Sequence, residues 1–90
     1  MKFLTHLSVR KVGNDYIMLQ PGLEMLDMAR VFTLSESAAM IIEEFKGRDF
    51  EEQDAVDFVL RTFEVEAQRA QTDVRQILTH FFREGLFVAR

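Results

Sequence analysis

His80 and Glu84, four residues apart in the stretch THFFRE, have the spacing that comes nearest to chemistry. On a helix they share one face a turn apart and could offer a metal ion one imidazole nitrogen and one carboxylate. A metal centre takes three or four protein ligands, so a lone pair of this kind reads as a solvated helix end. Thiolate ligands, thiol nucleophiles and disulfides are excluded, because the chain has no Cys. Ser35 and Ser37 supply hydroxyls, but no His lies near them in sequence to act as base, and helix capping already accounts for Ser35. The four Gly stand apart at 13, 22, 47 and 85, so no glycine-rich loop is available to cradle a phosphate. The expectation is a protein that is not itself an enzyme, with no cofactor and no metal.

A second group of residues suggests binding. Arg69, Thr72, Gln76, Thr79 and Arg83 fall on one polar side of a single helix with no acid among them. Strands followed by three helices would suit a winged helix reading DNA, so a DNA-binding transcription regulator is the alternative reading. Against it stand a net charge of −4, a pI near 5.1, and the acidic pairs Glu43-Glu44 and Glu51-Glu52, which would repel a phosphate backbone.

The elements that must position such residues are short. Ninety residues suffice for one small domain and one core, and 48% hydrophobic content with nine Phe is far too apolar for a disordered chain. No run approaches the roughly 18 to 20 apolar residues of a membrane span, and Thr5 and His6 interrupt any signal-peptide core after Leu4. A cytoplasmic protein without membrane association is expected. LSVRKV (7–12) and YIMLQ (16–20) flank the turn residues Gly13-Asn14-Asp15, which predicts a hairpin. Gln20-Pro21-Gly22 marks a further turn, Leu23 to Met28 follows neither period, and a third strand is expected over 30–34.

Ser35 then ends the strand as an N-cap, with Glu36 at the positive end of the helix dipole. Ala38, Ile41, Ile42 and Phe45 make the apolar stripe of a helix over 36–46 that stops at Gly47. Asp49 with Glu52 resembles a capping box for a helix over 50–63 that buries Val56, Val59, Leu60 and Phe63. The last helix, 67–84, carries Ala70, Val74, Ile77 and Phe81 and is closed by Gly85. Leu78 and Phe82 widen its apolar arc: either they cover the sheet, or they line a groove between this helix and an exposed strand edge where a peptide could dock.

In order and spacing, LSVRKVGNDYIML, LSESAAMIIEEF and TFEVEAQRAQTDVRQILTHFFREGLF resemble the PqqD family, the peptide-binding domains of the coenzyme PQQ synthesis protein D type. The most telling parts are Arg10 with Val12-Gly13, Leu34-Ser35-Glu36-Ser37-Ala38, Asp73-Val74, and Gly85-Leu86. Such families often show Asn at the junction where this chain has Ser35, which keeps the capping oxygen.

The resemblance implies an α+β fold, a winged-helix-like three-stranded antiparallel sheet followed by three helices. It also implies a function as RiPP recognition element: a peptide chaperone that holds the leader of a ribosomally made precursor peptide and presents it to a modifying enzyme, commonly a radical SAM protein. The leader would add to the third strand's edge and pack against the last helix. On this chain the implied surface is Arg30, Val31, Phe32, Thr33 and Leu34, with Val74, Arg75, Ile77, Leu78 and Phe81 on the helix. Strand alternation and the helical arc favour Phe32, Leu34, Ile77 and Phe81 as core, leaving Val31, Thr33, Leu78 and Arg75 to face a peptide. Asp73 fits a structural bond to the sheet or to Arg10 better than a direct role.

Overall fold

The computed structural model describes residues 1–4, 7–20 and 30–88. Three antiparallel strands, β1 (Ser8–Val12), β2 (Asp15–Gln20) and β3 (Arg30–Leu34), are followed by three helices, α1 (Glu36–Phe45), α2 (Glu52–Thr62) and α3 (Ala67–Arg83). This is the α+β order expected. The Pro21-Gly22 turn and the segment Leu23 to Met28 lie outside the described residues.

The sheet is open, in the order β1-β2-β3. Val12 pairs with Asp15, so the hairpin loop is Gly13-Asn14 alone, and β2 starts one residue earlier than expected. Gly13 adopts φ 63°, the positive value that the first central residue of a II′ turn requires and that Gly reaches without steric cost. β3 pairs with β2 from Tyr16↔Leu34 to Gln20↔Arg30, and among the described residues no strand lies on its other side.

Alternation along β2 and β3 sends Met18, Phe32 and Leu34 toward one face and Leu19, Val31 and Thr33 toward the other. Met18 and Leu34 are buried and Phe32 packs against the core, whereas Val31 is 64% exposed. α1 covers this sheet with the stripe its spacing predicts, and Ala38, Ile41, Ile42 and Phe45 are all buried. α2 and α3 pack on each other, so α3 stands off from β3. In α2 the buried residues are Ala55, Val56, Phe58 and Val59; Leu60, expected inside, is 37% exposed, and Phe63 is half-buried at the C-cap.

An aromatic cluster joins the chain's ends to this core. Phe3 stacks on Phe50 (5.4 Å between ring centroids) and on Phe87 (4.8 Å), and meets Phe81 edge-on. Backbone bonds from Leu4 N–H to the Leu86 carbonyl (2.9 Å) and from Val88 N–H to the Lys2 carbonyl (2.7 Å) hold the two segments together. The capping of α2 also differs from expectation. Asp49 binds the Met1 amino group at 2.9 Å, while the Glu51 N–H donates to the Asp54 carboxylate at 2.8 Å. The box has moved two residues along the chain because Asp49 is drawn to a partner 48 residues away.

Candidate functional site

β3 runs into α1 without a spacer. Ser35 makes this turn possible: its backbone is extended (φ −69°, ψ 163°), and its hydroxyl accepts the Ala38 N–H at 3.2 Å, satisfying an amide that the first helical turn leaves open. The junction forms one wall of a groove, from Thr33, Leu34, Ser35 and Ala38. Ala38 carries only a methyl group, so α1 does not fill the space between β3 and α3. Gln76, Ile77, His80 and Phe81 of α3 form the facing wall, and the open space between them is about 230 Å³.

The floor is apolar. Phe81 is 1% exposed, Leu34 and Ala38 are buried, and Ile77 is half-buried against the core. Thr33, Ser35, Gln76 and His80, all exposed, complete the lining with polar residues. No carboxylate lines this groove. Such a place can hold an apolar side chain and offer hydrogen bonds to the main chain that carries it.

The groove gathers Thr33, Leu34, Ile77 and Phe81 from the ten residues expected at the site. On α3, Ile77, expected inside, reaches this groove, while Leu78, 5% exposed, packs in the core and lines the larger cavity on the other flank of the helix. Val74 is fully buried, and Phe32 packs on the core. Val31 points away on the outer sheet face. Arg30 contributes the first residue of β3. Arg75 bonds Glu52 of α2 at 3.2 Å, and this hydrogen bond and charge raise its pKa above the ordinary arginine range.

Gln76, His80, Ser35 and Ala38 are groove residues that the sequence reading assigned elsewhere. For Gln76 and His80 the signal was the seam of the helical wheel, where 76, 77, 80 and 81 form one strip at i, i+1, i+4 and i+5, half polar and half apolar. Asp73 pairs with Arg69 one turn away (3.6 Å), and among the described residues it has no bond to the sheet or to Arg10. Among the described residues no group of three His, Asp or Glu side chains is placed to hold a metal. Phe82, which shared the wide arc with Leu78, is 74% exposed beside a second, larger cavity of about 640 Å³ on the far flank of α3. No described helix is long and apolar enough to cross a membrane.

The family model described as coenzyme PQQ synthesis protein D (PqqD) matches residues 22–86, which includes β3, the three helices and the whole groove. Among solved structures, that of TbiB1 in complex with the TbiA(beta) leader peptide is similar over 100% of this chain and 98% of its own, with 16% identity and a TM-score of 0.70. That of lasso peptide synthetase B1 complexed with the leader peptide is similar over 98% of this chain and 96% of its own, with 18% identity and a TM-score of 0.68. No curated protein gives a significant match.

Proposed function

This chain belongs to the coenzyme PQQ synthesis protein D family, and from that premise we propose that it is a non-catalytic binding protein for the leader segment of a ribosomally made precursor peptide. The observation that carries this reading is the groove itself: an apolar floor between the marginal strand β3 and the flank of α3, rimmed by hydrogen-bonding groups. A marginal strand presents main-chain N–H and C=O groups, and an extended peptide that adds to it gains a ladder of hydrogen bonds. Its alternate side chains then point toward α3, where Ile77 and Phe81 offer apolar contact. The two similar structures named above are complexes with leader peptides, which supports the same use of the same fold here.

A modifying enzyme completes the proposal. The Ser35 hydroxyl serves as the cap of α1, and in this reading the chemistry on the peptide belongs to a partner enzyme, a radical SAM protein or another peptide-modifying enzyme. The work would take place in the cytoplasm. The DNA-binding alternative has no comparable support: Arg69 is ion-paired with Asp73, and the chain carries net charge −4.

The test is a calorimetric titration of the full chain with the short precursor peptide encoded beside its gene. Saturable binding of the precursor, lost when its leader segment is removed, is the expected result. Binding of the leaderless core alone, or submicromolar salt-sensitive retention of duplex DNA, would replace the reading.

A further inference from the structure

The groove does not end at Gln76 and His80. Those two residues also line a shallow depression of about 360 Å³ on the solvent side of α3, completed by Arg75, Thr79 and Arg83. An extended occupant leaving the groove therefore meets a lane that carries two guanidinium groups and an imidazole. No carboxylate lines either depression, although the chain has 15 Asp and Glu against 11 Lys and Arg.

The nearby acids are all accounted for. Glu52 holds Arg75, Asp73 holds Arg69, Glu36 accepts a hydrogen bond from the Tyr16 hydroxyl at 3.4 Å, and Glu84 has a partner of its own. Arg83 is exposed and has no carboxylate partner among the described residues. Position in the last turn of α3 explains part of this, since cations there complement the helix dipole. The dipole does not explain why no carboxylate lines the lane back to Arg75, more than two turns before the end of the helix, where Glu52 of α2 holds the guanidinium from outside the lining.

Resting on the peptide-binding reading, we infer that the bound peptide is acidic at one defined place: an Asp or Glu that follows or precedes its apolar groove residue and lies on the lane at Arg83 and His80. A guanidinium donates two parallel N–H bonds to a carboxylate in a planar geometry, so this contact selects among peptides that share an apolar anchor. A nucleic-acid phosphate is the poorer occupant, because the lane shares Gln76 and His80 with the apolar compartment of Ile77 and Phe81, which suits a side chain.

The experiment is selection of a displayed library of random 12-residue peptides on the full-length wild-type chain, on Arg83→Glu and on Ile77→Asp. The wild type should enrich Asp or Glu at a fixed offset from an aliphatic residue, and Arg83→Glu should enrich Lys or Arg at that same offset. A selected acidic peptide, resynthesised, should bind Arg83→Glu about five- to tenfold more weakly than wild type, and added salt should narrow the gap. Groove-dependent peptides, lost on Ile77→Asp, that show no acidic preference would overturn the charge inference and leave the peptide-binding reading standing. No peptide dependent on Ile77 at all would overturn both. Retention of duplex DNA by the wild type that Arg83→Glu abolishes would assign the lane to phosphate and overturn the inference.

Discussion

The Ser35 hydroxyl accepts the Ala38 N–H at 3.2 Å, and these same two residues line the groove between β3 and α3. One local bond thus starts α1 and sets the wall of the site. Because Ser35 lies directly after β3, the cap also fixes the angle at which the marginal strand meets the helix layer. A change here should be felt in stability first and in binding through it.

Ser35→Ala removes the accepting oxygen and should cost about 1 kcal/mol, whereas Ser35→Asn keeps an oxygen within reach and should be nearly neutral. Thermal or urea melts of the two variants decide it. Equal losses in both would mean that Ser35 acts through something other than the cap.

Gly85 closes α3 with its own N–H on the Phe82 carbonyl and the Leu86 N–H on the Phe81 carbonyl, both 3.1 Å, while Leu86 is fully buried. Its φ of 72° is the left-handed value, and an added Cβ would meet nothing within 4 Å. Gly85→Ala should therefore lose only the conformational term, about 1 kcal/mol, with the fold intact. A loss several times larger in denaturant melts would point to packing around Gly85.

These two termini were legible in the sequence because their physics is local: a capping oxygen, a residue free to take positive φ, an apolar stripe at i, i+3 and i+4. Strand β3 was legible for the same reason, as alternation between turn and cap. The rest depended on partners far along the chain. Asp49 looked like a cap until the Met1 amino group engaged it, and the stacking of Phe3 on Phe50 and Phe87 has no local pattern at all. The arc of α3 showed that Val74, Ile77, Leu78 and Phe81 were apolar. It did not show which flank would face β3, since that rotation is set by the packing of α3 on α2.

Strand addition makes a prediction about amides. In a β-strand, the N–H and C=O of successive residues point to opposite edges, so one alternate set of β3 amides faces β2 and the other faces outward. Hydrogen exchange measured with and without the precursor peptide should show new protection in a single alternate set within 30–34, with the other set unchanged. Uniform protection across β3, or protection confined to α3, would rule out ladder pairing as the mode of binding.

The sharpest distinction is between two neighbours on α3. Ile77 is half-buried and lines the groove, while Leu78 is 5% exposed and part of the core. Leu78→Ala opens a cavity in the core and should cost about 2 to 5 kcal/mol, yet the molecules that remain folded keep an intact groove. Ile77→Asp should cost less stability, because a carboxylate at that position retains access to water, but it sets a charge against the apolar contacts of a bound peptide. Affinity for the precursor, corrected for the folded fraction measured by circular dichroism, should fall in Ile77→Asp and hold in Leu78→Ala. The reverse outcome would return Leu78 to the binding surface and place the peptide on the other flank of α3, beside Phe82.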